Sequence, residues 1–256
     1  MYKGYLLDLD GTIYLGDHVI PAGKRFIERL QEKHLPYLLV TNNSSRLPEQ
    51  VCDRLATQFD IHVPKEAVYT SSMATAEYLN ELNKGKKVYV IGQEGLKQML
   101  SSYGYDLVHS HQEKPDYVVV GLDQQLTYEK LSEATLAIQN GAIFIGTNPD
   151  RNIPTHNGLL PSAGPTLSYL ETATGVSPTV IGKPNAIMMN HAVDHLKLRK
   201  EEVVMVGDNY ETDIKAGINN NIASLLVLSG FTKKEDLPHL EEQPTHIVDS
   251  LDDWEI

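Results

Sequence analysis

Two carboxylates separated by one residue close an apolar run in Asp8-Leu9-Asp10-Gly11-Thr12. On a strand, residues two apart project to the same side, about 6.5–7 Å from each other along the chain, so Asp8 and Asp10 would point together past the strand end. Asp-Gly is an ordinary turn dipeptide as well. The apolar lead-in favours the chemical reading, because ionised groups at the end of a buried strand need a cation or hydrogen-bond donors nearby. A second acidic pair comes from far along the chain, where Val203–Val206 runs into Gly207-Asp208-Asn209-Tyr210-Glu211-Thr212-Asp213. Asp208 repeats the placement of Asp8. Asp213 falls at the start of a helix, where a carboxylate also complements the helix dipole. Four converging carboxylates would repel one another strongly. A hard divalent cation answers that, and Mg²⁺ suits oxygen ligands that leave room for water and a phosphate.

Other strand ends carry groups of the opposite kind. Thr41-Asn42-Asn43-Ser44-Ser45 follows the apolar run from Pro36. Hydroxyls, amides and backbone N–H groups ahead of a helix form an anion cradle, or else a polar loop that caps the helix starting at Pro48. Arg46 beside it adds positive charge to the cradle or forms a surface ion pair. Thr179–Ile181 leads into Gly182-Lys183-Pro184, with Pro184 expected to start the next helix and Lys183 at its positive end. This is not a phosphate-loop lysine of the Gly-x-x-x-x-Gly-Lys-Ser/Thr type, which the sequence lacks. The segment Thr147–His156 offers Asn148, Asp150, Arg151 and His156 as candidate substrate contacts, although Asn-Pro and Pro-Asp form turns whatever the function.

Elements able to position these groups alternate along the chain. Strands are predicted over Tyr5–Leu9, Pro36–Thr41, Ala67–Thr70, Thr179–Ile181, Val203–Val206 and Ala223–Leu228. Helices are predicted over Pro21–Glu32, Pro48–Phe59, Thr75–Leu82, Ala186–His195 and Thr212–Asn219. Short runs apolar on both faces, alternating with helices, indicate a parallel sheet covered by helices. Between Asn83 and Pro178 a separate alternation appears: strands over Lys87–Ile91, Tyr117–Gly121 and Ala142–Ile145, helices over Leu96–Ser101, Tyr128–Gln139 and Thr166–Thr172. The expected architecture is α/β: a doubly wound, Rossmann-like parallel-sheet core formed by residues 1–83 and 179–256, with an inserted α/β cap domain over 84–178.

Composition narrows the partners. The 256 residues carry 22 Lys and Arg against 34 Asp and Glu, a net charge of −12. Nucleic acid and anionic membrane surfaces are bound largely through surplus basic residues, so neither is expected as a partner. A small anionic molecule remains compatible with a local positive site. One cysteine, Cys52, precludes an internal disulfide. Apolar runs fall far short of the ~20 residues of a membrane span, and Met1–Leu9 lacks the order of a signal peptide. A cytoplasmic protein is expected. A cap helix face could support a homodimer or simply pack on the core.

Together, Asp8-Leu9-Asp10-Gly11-Thr12, Thr41, Lys183 and Gly207-Asp208 with Asp213 resemble the four ordered motifs of haloacid dehalogenase-type phosphatases. The position and size of the insert, with Thr41-Asn42-Asn43-Ser44, Gly146-Thr147-Asn148-Pro149-Asp150 and Gly182-Lys183-Pro184, are similar to the NagD-like, p-nitrophenylphosphatase-type branch with its large α/β cap. The resemblance implies a Mg²⁺-dependent phosphatase acting on small phosphomonoesters through an aspartyl-phosphate. In it Asp8 is the nucleophile and a metal ligand, Asp10 the general acid and base, and Thr41 and Lys183 hold the phosphoryl oxygens. The backbone carbonyl of Asp10 and the Asp208 carboxylate complete the protein's ligands, with Asp213 holding a metal-bound water or Lys183. Asn42, Asn43, Arg46, Asn148, Asp150, Arg151 and His156 are the candidates for substrate binding. A sugar or sugar-acid phosphate is the expected substrate, with nucleoside monophosphate, phosphoglycolate and pyridoxal phosphate as alternatives. A phosphoacceptor signalling module uses a similar acidic cluster, Thr and Lys. It is half as long, has no cap, and needs no acid–base residue at position 10. A catalytically idle scaffold would have no reason to retain these groups.

Overall fold

The apolar runs become strands of two separate sheets in the computed structural model, which describes residues 1–155 and 158–256. The larger sheet has six strands in the order His246–Val248, Ala223–Val227, Val203–Gly207, Gly4–Leu7, Tyr37–Thr41, Val68–Thr70. Gly4–Leu7 pairs in parallel with both Val203–Gly207 and Tyr37–Thr41. The chain therefore leaves the central strand in one direction for two strands, then returns on its other side for three. That is the doubly wound order, and such sheets bind ligands outside the carboxyl ends of the strands where the winding reverses. Here the reversal lies between Gly4–Leu7 and Val203–Gly207. Leu7 pairs with Val206, and the Asp8 N–H donates to the Val206 carbonyl at 2.9 Å. The two acidic motifs thus emerge from adjacent strand ends at the reversal.

Helices cover this sheet for reasons visible in their sequence. Pro21 occupies the first turn of Pro21–Glu32, where its missing N–H costs nothing. Gly23, Phe26, Ile27 and Leu30 recur at helical spacing and are buried, so one face turns inward. Phe26, Ile27 and Leu30 join Tyr5, Leu7, Leu39, Leu55, Val204 and Val206 in one core.

The smaller sheet holds five parallel strands in the order Thr179–Val180, Ile143–Gly146, Tyr117–Val120, Lys87–Ile91, Asp106–Val108. Its core unites Ile91, Val118, Val120, Phe144, Leu167 and Leu170. Two compact units result: residues 1–41, 48–69 and 183–256 in the first, 42–47 and 70–182 in the second.

Several expectations need correction. The run at 179–181 forms a two-residue strand of the smaller sheet, paired with Ile145 and Gly146, rather than a strand of the larger one. An apolar run shows that a strand forms, not which sheet accepts it. The helix after Pro184 begins at Ala186 with Asn185 as its cap, so Lys183 is not at a first-turn position. The helix expected over 212–219 opens as a wide π turn, Tyr210–Ile214, before Lys215–Asn219. Short strands went unread at Tyr14–Leu15 with His18–Val19, at Asp106–Val108, at Asn152–Thr155 with Gly158–Pro161, and at His246–Val248. Among the described residues no helix is long and apolar enough to cross a membrane.

Candidate active site

The first strand stops at Leu7, and the chain turns at once instead of continuing through Asp10. The Leu9 carbonyl accepts from the N–H groups of Thr12, Ile13 and Tyr14, and the Gly11 N–H donates to the Tyr14 carbonyl. This tight turn needs a positive φ of +93° at Gly11, which glycine adopts freely. It ends the strand after Leu7, so Asp10 stands on the turn and not on the strand. Asp8 joins Asp208 and Asp213, each offering an oxygen within 4.8 Å of the others. Asp10 is exposed and is not one of the three.

Lys183 bridges two members of this acidic group. Its Nζ donates to Asp8 Oδ1 and to Asp213 Oδ1, both at 2.7 Å. The lysine side chain is 2% exposed and that of Asp213 1%, while Asp8 keeps 14%, so the group opens to solvent on the Asp8 side. The remaining Asp213 oxygen accepts from the Asn209 N–H at 3.1 Å. Burial alone would discharge Lys183, but Asp213 and Asp8 outweigh it and hold the ammonium's pKa above its ordinary value. The carboxylates bear the cost. Burial foremost, then Asp213, raises Asp8 well above the usual range; Lys183 opposes the shift and Asp208 adds to it. Burial and Asp213 push Asp208 up to about 7. Partial desolvation also raises Asp10, against the Gly16 N–H and Arg54, which lower it.

Three carboxylates and one ammonium leave a formal charge of −2. Hard oxygen donors carrying that charge fit a divalent cation.

Asp208 is held by one side-chain hydroxyl and one backbone N–H, with two glycines packed against it. Its Oδ1 accepts from Thr12 Oγ1 at 3.3 Å and its Oδ2 from the Phe231 N–H at 2.5 Å. A Cβ on Gly11 would stand 2.3 Å from Asp208 Oδ2, and one on Gly230 only 1.9 Å. Ser229 Oγ donates to the Gly11 carbonyl at 2.8 Å and ties the two glycine turns together. Thr12, Ser229, Gly230 and Phe231 were not among the expected residues. Ser229-Gly230 follows the run Ala223–Leu228 as Asp8 follows its own strand, so the same strand-end reading could have found it. Gly230→Ala is expected to displace the Asp208 carboxylate and weaken divalent-cation binding about tenfold or more, measured by calorimetric titration with the cation.

Thr41 ends its strand buried in the first unit. Asn42, Asn43 and Arg46 belong to the second unit, with Asn148, Asp150 and Arg151. Asn42, Asn148 and Asp150 bond to one another: Asn42 Nδ2 donates to Asp150 Oδ1 at 3.0 Å and Asn148 Nδ2 to Asp150 Oδ2 at 2.8 Å. Asn43 is exposed and its Oδ1 accepts from the Ser45 N–H and hydroxyl, a local turn. Arg46 is half-buried and Arg151 exposed. His156 lies outside the described residues.

Comparison with known proteins gives a consistent picture. The haloacid dehalogenase-like hydrolase family matches residues 5–106, and a HAD-hydrolase-like family matches 180–254. The 5'-nucleotidase YutF of Bacillus subtilis is 49% identical over 253 residues, covering 99% of this chain and 97% of the relative. An acid sugar phosphatase of Staphylococcus aureus is 47% identical, covering 98% and 96%. The crystal structure of a thermostable NPPase double mutant from Geobacillus stearothermophilus superposes with a TM-score of 0.92 at 46% identity, covering 99% and 98%.

Proposed function

The chain belongs to the haloacid dehalogenase-like hydrolases and hydrolyses phosphate monoesters, and from that premise we propose that Asp8 is its nucleophile, Mg²⁺ its metal and a small sugar or sugar-acid phosphate its substrate. The observation that carries this reading is the trio of Asp8, Asp208 and Asp213 around Lys183 at the sheet's reversal point. Asp8, Asp208 and the backbone carbonyl of Asp10 would hold the cation, with Asp213 behind them fixing Lys183. A bound divalent cation supplies positive charge that offsets the carboxylates and the phosphate.

Uncatalysed phosphate-monoester hydrolysis is among the slowest of reactions, and enzymes accelerate it up to ~10²¹-fold. Two displacements divide that barrier. In the first, an Asp8 carboxylate oxygen attacks phosphorus, the ester P–O bond breaks, and Asp10 gives its proton to the departing alkoxide. In the second, Asp10 takes a proton from water as that water attacks phosphorus. The acyl-phosphate P–O bond breaks, phosphate leaves and Asp8 is regenerated. Asp10 must start protonated, and its raised pKa favours that state. Lys183 and Thr41 fix donors against the equatorial oxygens of the transferring group. Exposed Asn43 and half-buried Arg46, close to Thr41 in the chain, are candidates for the leaving group, together with Arg151 and His156 of the segment 84–178, which would act as a cap. The single, half-buried Cys52 accords with a reducing, cytoplasmic setting. The nucleotidase relative gives a second reading its support: the leaving group could be a nucleoside.

A phosphate-release screen of hexose phosphates, sugar-acid phosphates and nucleoside monophosphates tests the assignment. Activity should require Mg²⁺ and vanish in EDTA; full activity in EDTA would refute the metal. The metal should also stabilise the fold in a pH-dependent way. The native pKa of about 7 at Asp208 exceeds its ordinary value of 3.8. The raised value makes a stability contribution that is whole below about pH 4 and is lost as the pH rises through about 7. In EDTA the Tm should therefore fall across that window. The Tm increase on adding Mg²⁺, which binds the ionised ligands, should grow from pH 5 to pH 8.

A further inference from the structure

Several side chains of the second unit form one buried polar knot. Asp150 receives Asn42 Nδ2 on one oxygen and Asn148 Nδ2 on the other, at 3.0 and 2.8 Å. Thr147 Oγ1 bonds Asn148 Oδ1 at 2.8 Å and Ser44 Oγ at 3.3 Å. Asn42, Ser44, Thr147 and Asn148 are buried. The backbone is drawn in as well. The Gly182 N–H donates to the Thr147 carbonyl at 2.9 Å, and the Asn42 carbonyl accepts from Ser71 Oγ at 2.7 Å. A Cβ on Gly182 would stand 2.6 Å from Asn42 Oδ1 and 2.7 Å from the Thr147 oxygen. Losing a bond costs the buried side chains of Asn42, Ser44, Thr147 and Asn148 a partner out of reach of bulk water, which makes the network cooperative.

At two places the chain leads from this knot directly to residues of the phosphoryl site. Thr41 precedes Asn42, and Lys183 follows Gly182. At those two peptide bonds the chain passes between the compact units. We propose that Asp150 is a positioning residue for phosphoryl transfer: by bridging Asn42 and Asn148 it fixes the backbone from which Thr41 and Lys183 extend, and it does not touch the leaving group. This rests on the roles of Thr41 and Lys183 given above. It also explains why two amides and a carboxylate at candidate substrate positions bond to one another.

The test compares wild type, D150N and the N148D/D150N double variant on p-nitrophenyl phosphate, a hexose phosphate and a nucleoside monophosphate at saturating Mg²⁺. D150N sets an amide against an amide. It should lower kcat by about 10- to 100-fold, the range for misplaced supporting groups, by one common factor on every ester that the wild type hydrolyses, with KM nearly unchanged. In the double variant, donor and acceptor trade places between positions 148 and 150 while the Asn42 bond survives, so most of the lost kcat should return. Losses that differ between esters and fall on KM would place Asp150 on the leaving group and overturn the proposal. So would an unaltered D150N, or a folded double variant as slow as D150N. Should D150N not fold, N42A, which removes one arm of the bridge, carries the same expectation of a uniform kcat loss. A wild type inert on all three esters would overturn the phosphatase reading, and this proposal with it. An active wild type with an unaltered D150N overturns this proposal alone.

Discussion

Asp8→Asn is expected to yield a folded protein that releases p-nitrophenol from p-nitrophenyl phosphate at least about 10⁴-fold more slowly than wild type, the scale of losing a covalent nucleophile. An amide at position 8 cannot form the acyl phosphate, whereas Lys183 and Thr41, proposed to hold the phosphoryl oxygens, and Asp208, proposed to hold the cation, are left in place. The fold should tolerate the change. Burial, Asp213 and Asp208 already hold the Asp8 carboxyl well above its ordinary pKa, with Lys183 pulling the other way. Neutralising position 8 therefore relieves burial and repulsion, which offsets the loss of one of the two ion pairs of Lys183. The amide oxygen can still accept from Lys183, and repulsion within the acidic trio falls. In EDTA at pH 8 the variant's Tm should equal or exceed that of wild type, while the gain in Tm on adding Mg²⁺ shrinks because one ligand is lost. Steady-state rates and thermal melts on the same preparation check both halves. Turnover within tenfold of wild type would sink the assignment of Asp8 as nucleophile.

How far the sequence carried the structure can be read from particular segments. Pro21–Glu32, Pro48–Phe59, Tyr128–Gln139 and Lys87–Ile91 form with the predicted bounds. In two of these a proline marks the first turn, and apolar spacing sets the buried face. The acidic strand ends were legible because a charge after a buried run demands an explanation. Their grouping was less so. Alternation along an ideal strand accounts for Asp8 and Asp10 only, and hydrogen bonds to the Leu9 carbonyl bend the chain just after Asp8. Asp8 also gathers Asp208 and Asp213, delivered from the end of a neighbouring strand some two hundred residues away. Such long-range pairing follows from strand order, on which periodicity is silent. Thr179–Val180 shows the same limit, since its two residues could have joined either sheet. Asn42, Asn148 and Asp150 illustrate another. Amides and carboxylates suit a ligand and one another equally well, and only their mutual distances distinguish the two cases.

Lys183→Met should damage fold and activity together, through one cause. The lysine is buried with an ion pair at 2.7 Å on each side. Removing one partner of a buried pair leaves charge without compensation and costs about 3–5 kcal/mol. That cost has a defined pH dependence. Lys183 has its folded pKa raised above the ordinary value, so its contribution is present below about pH 10 and persists through neutrality. Without it, the Asp8 carboxyl loses the one group that lowers its folded-state pKa, which then rises further. The contribution of Asp8 is whole below about pH 4 and is lost as the pH climbs through that raised value. The stability gap between wild type and Lys183→Met should therefore be small near pH 4 and widen toward pH 8, as urea unfolding across that range would reveal. A gap independent of pH would mean that lost packing, not stranded charge, is responsible. Adding Asp213→Asn to Lys183→Met removes one of the two stranded carboxylates. The double variant should regain part of the stability at pH 8, a coupling expected of groups in direct contact. It should not regain turnover, because the ammonium proposed to hold the phosphoryl oxygens is still missing. Recovery of stability without recovery of rate would separate the two functions of Lys183: neutralising the acidic group in the folded protein, and stabilising the transferring phosphoryl group in the reaction.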